Sequence, residues 1–178
     1  MNNLDLKSIA EELIDTFLKA GKIAKEIGQK GVEVIIKADK SPVTNGDLTV
    51  DKILQTKIKK LTPNIPIVSE ETVDLNIKNE DKTFWLIDPI DGTKDYINKK
   101  DEYTLNAALI IDLKPAFGMV YAPEKDRLFY SYGKNLAFEM NNGKKLVLNC
   151  KKKHTSEIIG LESSRSTSNE VLEIYKKY

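Results

Sequence analysis

The sequence predicts a mixed α+β fold in layers, with two N-terminal helices packed on an antiparallel sheet. Apolar residues recur every three or four positions before Pro63, a spacing typical of amphipathic helices. From Phe84 onward, short apolar runs alternate with turn residues, a pattern typical of strands. The length of 178 residues suits one large domain, or one domain and part of another.

The first predicted helix has one apolar face, formed by Leu6, Ile9, Leu13, Phe17, Ala20, Ala24 and Ile27. Gly28 and Gly31 are expected to end it. The run VEVII predicts a strand, and KADKSPVTNGD predicts a polar loop. Thr44 or Asn45 is expected to cap a second helix that ends at Pro63. The apolar face of that helix consists of Val50, Leu54, Ile58 and Leu61.

The rest of the chain predicts strands. IPIVS is a short strand, and FWLI, which is wholly apolar, is expected to be central and buried. An antiparallel meander is then predicted from TLNAALII, AFGMVY, RLFYSY, LAFEM and KLVLN, with Asn142-Gly143 as its strongest hairpin signal. The polar stretch CKKKHTSE marks a boundary. We expect an N-terminal α+β domain over 1–153, and the beginning of a truncated α/β domain over 154–178 with a strand EIIGLES and a helix SNEVLEIYKKY.

Composition excludes several functional classes. The net charge of +1 gives no global attraction to nucleic acid, and no apolar stretch approaches the roughly 20 residues of a membrane-spanning helix. The acidic N-terminus does not resemble a signal peptide. Cys150 is the only cysteine and His154 the only histidine, so no intrachain disulfide and no zinc cluster are expected. We therefore predict a cytoplasmic protein.

The run Asp88-Pro89-Ile90-Asp91-Gly92-Thr93 carries the clearest chemistry. Asp88 ends a predicted buried strand, where a carboxylate is costly unless a cation or hydrogen-bond donors meet it. Gly92 permits a tight turn, and Thr93 is expected to cap a short helix whose main-chain N–H groups can bind a phosphate. Two carboxylates, the Ile90 carbonyl and a hydroxyl are the hard oxygen ligands that magnesium prefers. On these residues alone, a capped turn after a strand is an equally good interpretation.

Two further groups of acids have both a functional and a structural interpretation. Glu70 and Glu71 follow the IPIVS strand, and because adjacent side chains point in different directions, only one is expected to face a site. Taken alone, such a pair is usually surface decoration. Asp47 stands near a helix start, where an acid interacts favourably with the helix dipole, or where it can serve as a general base.

The chain resembles the inositol monophosphatase-like family of lithium-sensitive, magnesium-dependent phosphatases. The resemblance rests on KADKSPVTNGDLTVDK, PIVSEE, WLIDPIDGTKDYI and GMVYAPEKDRLFYS. Within this family, the runs Lys94-Asp95-Tyr96-Ile97 and Glu102-Tyr103-Thr104-Leu105-Asn106 look most like the 3'(2'),5'-bisphosphate nucleotidase branch, as does ESSRS. The resemblance implies the family's sugar-phosphatase fold, a small phosphate ester as substrate, two or three Mg²⁺ ions, and a possible homodimer. It also implies, as an alternative to a purely cytoplasmic location, a peripheral position on the cytoplasmic face of the membrane, as in some relatives.

The resemblance also implies roles for individual residues. Glu70, Asp88 and the Ile90 carbonyl would hold one magnesium ion, and Asp88 with Asp91 a second. Asp47 with Thr93 would orient and deprotonate the attacking water, and the Gly92 and Thr93 amides would bind phosphate. The implied substrate-binding residues are Glu70, Ile90, Asp91, Gly92 and Thr93. Lys94 is either a phosphate contact or a solvated lysine at a helix start.

One departure from the family pattern concerns the C-terminal part. Family members continue to a tryptophan–aspartate motif that completes the second metal site, whereas the only tryptophan here is Trp85. We expect a fragment, a truncated reading frame, or a chain completed by a partner. Three functions follow: a nucleotidase that converts 3'-phosphoadenosine 5'-phosphate to AMP, an inositol or sugar phosphatase, or an inactive chain that binds metal, phosphate or a partner.

Overall fold

The structure, a computed structural model, describes residues 4–72, 81–134 and 136–149, together with Glu173. The chain divides into two compact units, Met1–Leu148 and Asn149–Tyr178. Cys150, His154, the strand expected from EIIGLES and, apart from Glu173, the helix expected from SNEVLEIYKKY lie outside the described residues. The domain boundary at 153/154 stays a prediction.

Two long helices pack on each other and against one face of a sheet. Helix α1 spans Leu6–Lys30, and Asp5 caps its start by accepting hydrogen bonds from the amides of Lys7 and Ser8. The prediction that Gly28 ends this helix is wrong: the helix continues to Gly31, whose φ of 103° takes the chain out of the helix. Gly28 instead leaves room for the Tyr96 ring.

A small hairpin separates α1 from the second helix. Strands β1 (Val34–Ile36) and β2 (Pro42–Thr44) pair antiparallel. The strand predicted from VEVII is therefore confirmed over the residues of β1. The prediction of a loop throughout KADKSPVTNGD is wrong for Pro42–Thr44, because these residues find partners in β1. Helix α2 spans Asn45–Leu61. Thr44, not Asn45, caps it through a capping box with Asp47.

Among the described residues, seven strands form the sheet of the second layer, and they lie in sequence order. They are β3 (Ile67–Ser69), β4 (Phe84–Asp91), β5 (Thr104–Ile111), β6 (Lys114–Ala122), β7 (Arg127–Tyr132), β8 (Ala137–Asn141) and β9 (Lys144–Val147). The predicted meander from β5 to β9 is confirmed. Asn142 and Gly143 make its last turn with φ values of 48° and 71°, as a type I′ hairpin requires. The predicted antiparallel sheet has one exception, because β3 joins β4 in parallel.

One face of the sheet packs against the helices and forms the core. Trp85 illustrates how: its ring is fully buried, and its indole N–H donates to the Thr62 hydroxyl at the end of α2 over 2.9 Å. The prediction that FWLI is central and buried is confirmed for the burial of Trp85 and Ile87, but it is wrong for Leu86 and for the place of the strand in the sheet. β4 is second from the edge, and because successive residues alternate between faces, Leu86 points away from the helices and is 41% exposed.

Candidate metal and phosphate site

The parallel pairing of β3 with β4 brings two acidic segments together. Ser69 lies opposite Ile87 in the register, and the Glu70 amide donates to the Ile87 carbonyl over 3.0 Å. Glu70 therefore leaves the edge strand beside Asp88 on the neighbouring strand. On the other side of β4, Asp88 pairs with Asn106 of β5. The register therefore brings together Glu70 and Asp88, to which the family resemblance assigned a common magnesium ion.

The chain distorts between the two aspartates of β4. The register with β5 shifts between Asp88 and Asp91, which marks a bulge. Gly92 follows with a φ of 97°, and a Cβ on it would lie 2.8 Å from the Glu102 carbonyl oxygen. Only glycine fits this turn without strain. The short helix α3, Thr93–Ile97, begins directly afterwards.

Asp88 carries the clearest electrostatic signature of the site. Burial, together with the nearby carboxylates of Glu70 and Asp91, raises the pKa of its carboxyl to about 7. Its Oδ1 is buried and has no hydrogen-bond partner among the described residues. Asn106 donates its Nδ2 to Asp91 over 3.5 Å. The site therefore contains mutually repelling carboxylates and a buried acceptor that lacks a donor.

Glu70 and Glu71 take different positions, as their adjacency predicted. The Glu70 side chain is 51% exposed and lies 3.8 Å from the Lys37 ammonium. The Glu71 side chain is only 3% exposed and forms a closer ion pair with Lys37, at 2.8 Å. Burial raises the pKa of Glu71, while its ion pair with Lys37 opposes that rise. Lys37 therefore links the β1–β2 hairpin to the acidic turn.

Asp47 and Thr93 meet on the helical side of the site. One carboxylate oxygen of Asp47 accepts the Thr44 amide at 2.8 Å and the Thr44 hydroxyl. The other oxygen lies 3.3 Å from the Thr93 hydroxyl, which is also 3.1 Å from the Ile90 carbonyl. Burial raises the pKa of Asp47. The expectation that Thr93 caps α3 is wrong: Gly92 holds the cap position, and no side chain caps this helix.

The run that suggested a nucleotide substrate is mostly internal. Asp95 and Tyr96 are buried, and the Tyr96 hydroxyl donates to the Ala24 carbonyl of α1 over 2.6 Å. Lys94 is exposed at the start of α3. Tyr96 therefore attaches α3 to α1, and its ring contacts the Tyr103 ring with centroids 4.9 Å apart.

The donor set fits a hard divalent cation. Carboxylates and a backbone carbonyl are the oxygen ligands that magnesium takes. A cation would reduce the repulsion between Asp88 and its neighbouring carboxylates, and it would give the buried Oδ1 of Asp88 a partner. Within the described ranges, however, no three acidic, histidine or cysteine side chains are gathered closely enough to hold an ion. Glu70, Asp88 and Asp91 therefore influence one another without forming a closed cage.

Several residues around the site were not identified from the sequence. Lys37, which pairs with Glu71 beside Glu70, was not considered, and Asn106 contacts Asp91. Asn106 was noticed only as part of a motif. Ser69, which directly precedes Glu70, is fully buried and bonded to Asp51 of α2. A signal for the last pair was present, since Asp51 stands one helical turn after Asp47 and shares its face.

The fold and the site together define a layered α+β chain with an acidic centre at a strand edge. The chain belongs to the inositol monophosphatase family, whose model matches residues 5–178. It is 33% identical over 142 residues to a 3'(2'),5'-bisphosphate nucleotidase CysQ from Aggregatibacter actinomycetemcomitans. The aligned stretch covers 79% of this chain and 53% of the relative.

Solved structures agree on the fold. CysQ from Bacteroides thetaiotaomicron is 27% identical with a TM-score of 0.64, over 98% of this chain and 58% of that one. An IMPase/NADP phosphatase complexed with Mg²⁺ and phosphate is 26% identical with a TM-score of 0.64, over 75% of this chain and 51% of that one. The chain thus spans about half the length of the relatives that it matches. The predicted fold class is confirmed.

Proposed function

We propose that the chain carries the metal- and phosphate-binding part of a magnesium-dependent phosphomonoesterase. The observation that carries this proposal is the pairing of the strands that carry Glu70 and Asp88, with Asp91 near enough to contribute to the rise of the Asp88 pKa to about 7. The relatives support it, because one is named as a 3'(2'),5'-bisphosphate nucleotidase and another is an IMPase/NADP phosphatase complexed with Mg²⁺ and phosphate.

Glu70, Asp88, Asp91 and the Ile90 carbonyl would hold the magnesium ions. When bound, magnesium supplies Lewis-acid polarisation of the phosphoryl group and of the attacking water. The number of ions, two or three, and inhibition by lithium are part of the proposal. The Asn106 amide contacts the Asp91 carboxylate at 3.5 Å, and it would help to hold this proposed ligand.

Asp47 and Thr93 would orient the attacking water and accept its proton. The two bonds from Thr44 fix one oxygen of Asp47 and leave the other facing the Thr93 hydroxyl. Thr93 can accept a hydrogen bond from the water while it donates to Asp47. Because burial raises the pKa of Asp47, its carboxylate is a stronger base than an exposed aspartate. The Gly92 and Thr93 amides would bind the phosphate.

The proposed substrate is 3'-phosphoadenosine 5'-phosphate, converted to AMP and phosphate. Similarity to CysQ relatives supports the nucleotide over inositol 1-phosphate or a sugar phosphate. Because Tyr96 is internal, an effect of the KDYI run on substrate choice would have to pass through the shape of the loop. A homodimer is part of the proposal. In the part of the chain that the structure describes, no helix has the length and apolarity to span a membrane.

A substrate panel tests the proposal. We expect the purified chain to release phosphate from 3'-phosphoadenosine 5'-phosphate with Mg²⁺ and to lose at least about 100-fold in rate on Asp91→Asn, since a metal ligand is removed. Asp112→Asn is the matched control, because this aspartate is exposed in the β5–β6 turn. Faster hydrolysis of inositol 1-phosphate would contradict the nucleotidase assignment.

A second candidate function is an inactive chain that binds metal, phosphate or a partner subunit. The observation that favours it is the open arrangement of the carboxylates, since no three are gathered as a cage in the described ranges. Magnesium binding in calorimetry without phosphate release from any substrate would support this candidate. Turnover that Asp91→Asn abolishes would rule it out.

A further inference from the structure

The turn that carries Glu70 is attached to helix α2 by a buried polar network. Ser69, the last residue of β3, is fully buried, and its hydroxyl donates to Oδ1 of Asp51 over 2.6 Å. Asp51 is itself only 4% exposed. A hydrogen bond of this length to a carboxylate is a strong one. It fixes the residue immediately before Glu70.

The same carboxylate restrains the far end of the turn. Oδ2 of Asp51 accepts the side-chain amide of Gln55 at 2.8 Å, and that amide also donates to the Thr72 hydroxyl at 2.9 Å. The Thr72 backbone amide donates to the Ser69 carbonyl at 3.1 Å and closes the turn. Residues 69–72 are therefore held at both ends by one helix.

We propose that Asp51 is a positioning residue for the metal centre, acting on Glu70 through Ser69 and Thr72. The inference rests on the proposed function and extends it to a residue that does not touch the ions or the substrate. A buried carboxylate is costly, and both oxygens of Asp51 are matched to donors on or bound to the Glu70 turn. An apolar residue could fill the same volume but could not fix the turn.

The position of Asp51 on α2 strengthens the argument. Asp47, the proposed base, lies four residues earlier on the same helix, so both project from one face. The base and the Glu70 turn are thus set by a single rigid element. Within the turn, the Glu71 carboxylate is paired with Lys37. The Glu70 side chain is 51% exposed and lies 3.8 Å from the Lys37 ammonium, so it stays outside the Asp51 network.

Two variants test the inference in the full chain by calorimetric titration with Mg²⁺. Asp51→Asn replaces one acceptor oxygen by a donor, and Ser69→Ala removes the hydroxyl that reaches Asp51. Each is expected to weaken magnesium binding by about tenfold, the scale found for residues that orient metal ligands. The double variant should bind little worse than either single variant, because both break one pathway.

Thr62→Val is the matched control. It removes a buried hydrogen bond from the far end of α2, between the Thr62 hydroxyl and Trp85, and leaves the Glu70 turn intact. It should lower the melting temperature yet change magnesium affinity by less than about twofold. If Asp51→Asn and Ser69→Ala lower only the melting temperature and match Thr62→Val in affinity, the inference is overturned.

Hydrogen exchange separates this inference from the proposed function. In Asp51→Asn and Ser69→Ala, the Glu70 and Thr72 amides should exchange at least about tenfold faster than in Thr62→Val, because the turn loses its anchor. A wild-type chain that binds no magnesium would contradict the proposed metal centre. Faster exchange at the turn would still support Asp51 as its positioning residue, and unchanged exchange would overturn that role.

Discussion

At the residue scale, Asp88 is the group whose ionisation opposes folding most clearly. Its ordinary pKa of 3.8 is raised to about 7 by burial and by the charges of Glu70 and Asp91. Between these two pH values, the folded protein therefore keeps a proton on Asp88 that the unfolded chain has already released. Because of this difference, the contribution of Asp88 to the free energy of unfolding falls as the pH rises from about 4 to about 7.

The variant Asp88→Asn tests this electrostatic cost. Without metal, the free energy of unfolding of the wild type should fall between pH 5 and pH 8, and the variant should lose less, because its amide carries no charge. Magnesium binding should be lost in the variant, and in the wild type it should tighten as the pH rises past about 7.

Urea denaturation in EDTA at the two pH values measures the free energy of unfolding. Calorimetric titration measures magnesium binding. Asp112→Asn is the control for removing one negative charge, since Asp112 lies exposed in a turn. An equal pH dependence in the wild type and in Asp88→Asn would show that Asp88 is not the group that titrates.

At the scale of elements, the contact between α1 and β6 depends on a missing side chain. Gly21 is buried in the middle of α1, and a Cβ there would lie 2.8 Å from Cδ1 of Tyr121 and 3.0 Å from Cγ of Pro123. The helix can approach the sheet this closely only because position 21 has no side chain.

Gly21→Ala should therefore destabilise the protein by about 1–3 kcal/mol through overpacking, although alanine favours a helix over glycine by about 1 kcal/mol. Urea denaturation measures the change. In the background Tyr121→Leu, which removes most of the ring, the same substitution should cost much less. A stabilising Gly21→Ala in the wild-type background would contradict the contact.

Several elements could be predicted from the sequence because their signals are local. The apolar face of α1, the Thr44 cap and the Asn142-Gly143 turn depend on neighbours within a few residues. β2 could not be predicted, because Pro42–Thr44 become a strand only by pairing with β1. The exposure of Leu86 was missed because an apolar run does not reveal which face of a sheet is covered.

The candidate site was only partly predictable for the same reason. The acids Asp47, Glu70, Asp88 and Asp91 were recognised from motifs, and their assigned roles remain predictions. Their supporting residues lie far apart in the sequence: Lys37 pairs with Glu71, and Asp51 reaches Ser69 from a helix. No local pattern marks these pairs, since they arise from how α2, the hairpin and the sheet pack.

At the scale of the whole molecule, a bound ion should stabilise the fold by mass action. Magnesium at 100 times its dissociation constant is expected to add about 2.7 kcal/mol to the free energy of unfolding. Thermal denaturation with magnesium, and again after EDTA, measures the shift and its reversal. Asp91→Asn should show no shift. An equal shift in that variant would mean that magnesium acts outside the site.

The parallel pairing of β3 with β4 has a consequence for the order of folding. The strands from β5 to β9 join neighbours through short turns, whereas β3 has three residues, lies at the edge and is separated from β4 by residues 70–83. Contacts between distant segments form late because a long loop must close first. A nascent sheet would then display Asp88 and Asp91 before Glu70 arrives. Cation affinity would develop in the last step, so a bound ion would slow unfolding while leaving the folding rate nearly unchanged.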